Sequence, residues 1–258
     1  MGVLWSKTRF LGVFWVKFVL NHPLNVIKIF INMKKIFILA SIILFGIIVN
    51  GQTNTGTKGT IQDYVKVDTV RLKHTNYVSV FDKGKLYPMY VEWWVTKSMV
   101  TCSTPLKRKD NFKPDPLLLK ETDIAKDYVG SGTDRGHMMP AADNLCQTQQ
   151  VQDECFYFSN MAAQYHSLNA GDWKSVETLT RQLASEKDSL HVWCGNIGEV
   201  KRVGRVAVPE KCWKVIYIKT TKEWRAFLFI NNTSKPDGYS NNEVDVKVIE
   251  KLTGLKFK

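Results

Sequence analysis

The chain has 258 residues, with 36 Lys and Arg against 24 Asp and Glu, a formal net charge of +12 and 44% hydrophobic residues. No internal repeat or long low-complexity tract divides it, so the length argues against a solenoid or a two-domain chain and suits one domain with a real core. Five cysteines without a CxxC pair argue against a structural zinc site.

Met33-Lys34-Lys35 followed by the apolar run Ile36 to Val49 has the charged start and hydrophobic stretch of a secretory signal. The run is shorter than the roughly 20 residues that cross a bilayer. Val49 and Gly51 are small enough to precede a cleavage site, which places the mature start at Gln52. On this reading Met33 is the true start and residues 1–32 are a mis-annotated extension; a paired membrane anchor is the rival. Cleavage would leave no stable membrane association and a secreted or periplasmic protein. Residues 1–51 contain six basic and no acidic side chains. The remaining 207 residues therefore carry 30 basic and 24 acidic groups, a net +6 that favours a polyanion without naming one.

Residues 52–62, rich in Thr and Gly, read as a flexible lead-in, and 63–258 as one domain. Tyr77 to Phe81 and Tyr87 to Val100 flank a Lys83-Gly84-Lys85 turn and read as a hairpin. The stretch 103–132 reads as a long functional loop, and Phe156-Tyr157-Phe158 as a short buried strand. A helix is expected from about Asp172 to Glu186, with Trp173, Val176, Leu179 and Leu183 on its core face. Leu190 to Cys194, Trp213 to Lys219 and Trp224 to Ile230 read as strands. A last helix over about 242–252 would carry Val244, Val248 and Leu252 on one side. Strands, a long helix and further strands indicate an α+β domain, a central antiparallel β-sheet flanked by helices. Trp93 and Trp94 could stack on bases, but the core reading is preferred for both. In an exported chain the cysteines predict disulfides: Cys146 with Cys155 across a short loop, Cys194 and Cys212 on consecutive strands, and Cys102 left over.

Asp134-Arg135-Gly136-His137 places an arginine, which grips phosphate in a fixed fork, beside an imidazole able to take a proton near neutral pH. Ser159-Asn160-Met161-Ala162-Ala163-Gln164 follows, then Asn169, Trp173 and Glu177. In this order and spacing the segments resemble the DNA/RNA non-specific endonuclease family with its ββα-metal active site. The DRGH motif is matched at 134–137 and continues through Pro140-Ala141-Ala142-Asp143. The SN-x-x-PQ segment is matched at 159–164 with Ala163 in place of proline, and N-x-x-x-W-x-x-x-E by Asn169, Trp173 and Glu177.

The resemblance implies a metal-dependent, sugar-non-specific endonuclease that contacts DNA and RNA through backbone phosphates. It implies His137 as general base, Arg135 as phosphate clamp and Asn169 as ligand of Mg²⁺, with Mn²⁺ or another divalent cation as substitutes. A lone amide ligand suits Mg²⁺, which keeps most of its waters; the bland reading of Asn169 is a helix cap. Glu177 lies eight residues on, about 12 Å along a helix and on the same face, so it would reach the ion through a water. Its bland role is an i+4 partner for Arg181. Arg181 would be a second phosphate clamp, Asn160 and Gln164 would orient the metal-binding segment or contact substrate, and Arg108 would add a phosphate contact although Asp110 departs from the pattern. His166 lies inside the motif block with no role assigned by the resemblance, while His22, His74 and His191 stand apart from it. Two rival readings are a catalytically dead nucleic-acid-binding domain of the same fold and a phosphodiesterase for small substrates.

Overall fold

A computed structural model describes residues 68–257. The expected signal sequence, the upstream extension and the lead-in lie outside the described residues.

Six antiparallel strands form the central sheet: β1 (Thr69–Lys73), β2 (Tyr77–Asp82), β3 (Tyr87–Thr96), β6 (Ser189–Ile197), β9 (Lys211–Ile218) and β10 (Glu223–Ile230), hydrogen-bonded in the order β1-β2-β3-β6-β9-β10. Two ribbons stand apart, β4 (Asp134–His137) with β5 (Met161–Gln164), and β7 (Lys201–Val203) with β8 (Val206–Val208). The expected β2–β3 hairpin forms because Asp82 closes its turn, its Oδ1 accepting from the amides of Gly84 and Lys85 at 2.9 Å.

Three helices of six residues or more complete the described chain: α1 (Gln149–Glu154), α2 (Lys174–Lys187) and α3 (Val246–Thr253). Period-2 alternation sends Val91, Trp93 and Val95 of β3, Leu190, Val192 and Cys194 of β6 and Ile216 of β9 to one face of the sheet. There they pack with Trp173, Val176 and Ala184 of the α2 region and with Met138 and Phe156. Leu179 and Leu183 are only partly buried against this core, while Thr180 and Ala184 lie deeper, so the buried stripe is rotated from the expected one. The opposite face presents Trp213, Val215 and Ala226 to Val246 and Ile249 of α3. The molecule is α+β, an antiparallel sheet with helices on both faces.

Several expectations are corrected. Phe156 and Phe158 are fully buried, but 158–160 form a 3-10 turn and only Tyr157 makes a bridge, to Lys113. The last helix begins at Val246 because Asp245 caps it, accepting from the Lys247 amide at 2.8 Å. Gly254 in the left-handed conformation ends it. That frame buries Val246 and Ile249 and leaves Val248 and Leu252 exposed. Trp94 is 43% exposed rather than core, with its ring stacked on His191. The 103–132 stretch is anchored: Ile124 and Tyr128 reach a second core cluster with Phe158 and Met161, directly beneath the β4–β5 ribbon.

The disulfide joins Cys102 to Cys146, with a Cα–Cα separation of 5.7 Å, in place of the expected Cys146–Cys155 bridge. The Cys146 amide bonds to the Met99 carbonyl, which brings the two thiols together. Cys155 instead points into the core, where Asn144 donates to its sulfur at 3.0 Å. Cys194 and Cys212 are free and buried.

Candidate active site

The motif Asp134-Arg135-Gly136-His137 is itself strand β4, paired antiparallel with β5 in the register Asp134–Gln164 to His137–Met161. Alternation along so short a strand puts Arg135 and His137 on one side and Asp134 and Gly136 on the other. Gly136 is required by close approach, since a Cβ there would lie 2.0 Å from Gln164 Oε1.

Asn160 and Gln164 are fully buried, which favours the first of their two expected roles, orienting the segment, over contact with substrate. Asn160 is a brace. Its Oδ1 accepts from the Met139 amide at 2.9 Å, and its Nδ2 donates to the carbonyls of Met139 and Cys155 at 2.9 and 2.8 Å. With the bond from the Met138 amide to the Asn160 carbonyl, these fix the chain that leaves His137. Gln164 lies over Gly136 and donates to the Cys212 sulfur at 3.4 Å.

A cavity of about 420 Å³ opens beside β4, lined by Arg108, Asp110, Phe112, Asp134, Arg135 and Asn169 among others. The Arg135 guanidinium lies 3.9 Å from the Phe112 ring centre, a cation–π contact that holds the fork in place. His137 lies next to the same ring at 5.5 Å and edge-on to Phe156 at 4.9 Å. Its Nε2 is buried and makes no hydrogen bond among the described residues. Burial, then the positive charges of Arg108 and Arg135, lower its pKa to about 3, so the ring is neutral at pH 7.

Asn169 follows the short helical turn His166–Leu168 and opens an irregular turn, Asn169–Trp173, which leads into α2. Its Nδ2 donates to Asp134 Oδ2 at 2.9 Å. A half-turn of the amide exchanges its oxygen and nitrogen, so the side chain fits the donor chemistry of a hard divalent cation. Trp173 ties this segment to β4, its indole donating to the His137 carbonyl at 3.0 Å.

Glu177 sits on α2, half-buried, its pKa raised to about 7 by burial against the opposing charge of Lys214, with Asp143 adding to the rise. The expected i+4 pair with Arg181 is replaced. Arg181 donates to the buried Asp143 at 3.4 Å and to Thr178 at 3.1 Å. Arg108, exposed, pairs with Asp110 at 2.8 Å, so the departing residue of the motif neutralises the arginine beside it. Arg108, Arg135 and Asn169 thus share one cleft with His137 adjoining it, while Glu177 and Arg181, on α2, do not line that cavity, although the charge of Arg108 reaches Glu177.

Three features were not read in the sequence. Lys214 is fully buried, its ammonium 4.5 Å from the Trp173 ring and 5.6 Å from that of Trp93. Nothing in the local sequence of the strand, Lys211-Cys212-Trp213-Lys214-Val215-Ile216-Tyr217-Ile218, marks it as buried. His74 Nε2 lies 3.0 Å from the fully buried Asp115, 41 positions away. Asp134 joins His166 to Asn169; the spacing of His166 and Asn169, three residues apart, was the available signal.

With this geometry in hand, the family is shown by comparison. A family model for DNA/RNA non-specific endonuclease matches residues 56–258, and the chain belongs to that family. The mitochondrial nuclease EXOG of Xenopus laevis is 30% identical over 72% of this chain and 57% of its own length. A nuclease of Serratia marcescens is 33% identical over 60% of this chain and 64% of its own, and a Nostoc nuclease 29% identical over 79% and 76%. A crystal structure of an EndoG/EndoGI complex superposes with a TM-score of 0.64 at 28% identity, covering 72% of this chain and 84% of the other. The chain spans little more than half the length of the EXOG relatives from frog, human and mouse.

Proposed function

We propose that the chain is an exported, Mg²⁺-dependent endonuclease that hydrolyses phosphodiester bonds in both DNA and RNA. The observation that carries this reading is the gathering of Arg135, Asp134 and Asn169 in one cleft next to a neutral His137 whose Nε2 has no partner within the protein. Arg135, with Arg108 beside it, grips the scissile phosphate; the guanidinium fork recognises phosphate oxygens and ignores the base, so DNA and RNA are both accepted. His137 takes the proton of the attacking water at Nε2. Burial is the main cause of its low pKa, with Arg108 and Arg135 adding to it; the negative charge of an incoming phosphate acts in the opposite direction to both and makes the ring a stronger base. A divalent cation held by Asn169 supplies Lewis-acid polarisation of the phosphate and charge for the departing oxygen. Mn²⁺ is the expected substitute for Mg²⁺. Glu177 orders water on the α2 side, and Arg181, held by Asp143, adds positive charge there. The Cys102–Cys146 bridge supports an oxidising destination, secreted or periplasmic.

Supercoiled plasmid and structured RNA, each with and without chelator, test the reading. Relaxed and linear plasmid together with shortened RNA, all abolished by chelator, are expected. Intact circular DNA in the presence of Mg²⁺ or Mn²⁺ would overturn it.

A further inference from the structure

The sheet face turned away from the cleft is only partly covered among the described residues. α3 and the C-terminal segment pack over Trp213, Val215 and Ala226 and reach Trp193 and Trp224. Beyond that cover, the strand register sets Trp94 of β3 opposite His191 of β6, and His191 opposite Tyr217 of β9. The Trp94 and His191 rings stack at 4.3 Å with 17° between their planes, and Tyr217 continues the row to Trp224 at 4.6 Å. Trp94 is 43% exposed, with His191 and Tyr217 partly so. Single exposed apolar residues need no explanation, but a cross-strand row of rings is a built surface. Burial lowers the pKa of His191 to about 4, against the pull of Glu92, so its ring stacks uncharged at pH 7.

The charges beside this row leave positive charge to spare. Lys219 extends its ammonium to 5.8 Å from the Trp94 ring. Arg71 and Lys73 of β1 share the face by register, through Val80 and Val78 of β2, and both are exposed. Glu92, the acid of β3 on this face, is already engaged: Arg71 donates to it at 2.6 Å and the Trp193 indole at 3.1 Å. Lys73 and Lys219 form no ion pair among the described residues. Flat aromatic faces edged by unpaired cations match unstacked bases and the phosphates between them. A duplex keeps its bases inside and offers these rings no face to stack on.

We propose that Trp94, His191 and Tyr217 form a stacking platform for single-stranded nucleic acid, with Lys219 and Lys73 taking its phosphates, on the opposite side of the sheet from the cleft. Met138 and Trp173 pack against the inner face, so the sheet separates the two sites. The inference goes beyond cleavage in the cleft and rests only on the reading that nucleic acid is the substrate. A platform that holds one part of a strand raises the effective concentration of the rest at the cleft. It therefore lowers KM for long single strands and leaves kcat alone. The competing occupant of the face is a second copy of the chain.

An oligothymidylate and a DNA duplex of equal length, each end-labelled, are titrated with the full chain in chelator and followed by fluorescence anisotropy. Trp94→Ala is expected to weaken single-strand binding about tenfold and to leave duplex binding unchanged, while Trp94→Phe keeps most of the affinity. Lys219→Ala should reduce the slope of log affinity against log salt by about 0.7 on the single strand. With Mg²⁺ present, KM for long single-stranded DNA should rise in Trp94→Ala while kcat and plasmid cleavage hold. Trp94 is exposed, so the variant keeps the fold, which circular dichroism checks. Equal losses on single strand and duplex, or no loss on either, overturn the platform. A Trp94→Ala variant that keeps its single-strand affinity but sediments as a monomer where wild type is a dimer gives the face to a second copy, and also overturns it. If wild type cuts plasmid while Trp94→Ala binds oligothymidylate equally well, the endonuclease reading stands and the platform fails. If wild type binds neither ligand and cuts no plasmid, both fail.

Discussion

The indole Nε1–H of Trp173 donates to the carbonyl oxygen of His137 at 3.0 Å, which couples the segment bearing Asn169 to the strand bearing the proposed base. Both residues are buried, so the bond is shielded from water. Trp173→Phe keeps an aromatic ring in the core but leaves that carbonyl without its donor. The expected cost is about 1–3 kcal/mol, seen as a lower urea midpoint at unchanged slope. Activity measured well below the midpoint should fall as well, because the two halves of the site lose their common reference. Full activity in a destabilised variant would show that the bond serves stability alone.

The His137 and Asn169 variants should fail in different ways. His137→Ala removes the base while leaving the phosphate clamps, so activity is expected to fall roughly 10²–10⁴-fold with little change in nucleic-acid binding. Asn169→Ala should lose at least as much, but with partial recovery as Mg²⁺ is raised. Plasmid cleavage followed across a Mg²⁺ series distinguishes them. A His137 variant within a few-fold of wild type between pH 7 and 8 would rule out the proposed mechanism.

The raised pKa of Glu177 carries a stability signature. Unfolded, the carboxyl titrates near 4.5; folded and metal-free, near 7. Between those values the folded state holds more protons than the unfolded state, so this group's contribution to stability is full below pH 4.5 and is lost as pH rises through 7. His137 acts in the opposite sense: with a folded pKa near 3, its contribution is present above pH 6.5 and lost as pH falls. In chelator, Glu177→Gln should therefore flatten the decline between pH 4.5 and 7 relative to wild type. Urea midpoints across that range measure it, and parallel curves for the two proteins would show that Glu177 is ionised throughout.

The Cys102–Cys146 bridge closes 44 residues that include β4 and the 103–132 stretch lining the cleft. In the chain-entropy model that loop is worth about 4 kcal/mol. Cys102→Ser and Cys146→Ser should each lower the urea midpoint, and the double variant should lower it no further. Peptide mapping without reductant is expected to find this bridge and three thiols that react only on denaturation. A bridge involving Cys155 would contradict the core packing described above.

Local sequence determined much of this protein. Arg135, His137 and Asn169 were legible as candidates because the order and spacing of their motifs resemble those of the family, and the structure places Arg135 and Asn169 in one cleft with His137 beside it. The hairpin at Lys83-Gly84-Lys85 and the α2 region were legible from turn chemistry and from the 3.6-residue recurrence of Trp173 and Val176, both local signals. Tertiary structure decided what depends on contacts distant in the chain. Asn160 carries the motif but spends its amide on Met139 and Cys155, so it braces where a surface residue would bind. Cys146 chose Cys102 over the much nearer Cys155 because burial direction, not sequence distance, sets which thiols meet. Val248 and Leu252 faced solvent because the Asp245 cap set the helical frame. Lys214 could be placed against Trp93 and Trp173 only once β3, β9 and the start of α2 had come together, since no one of those segments records the others' side chains.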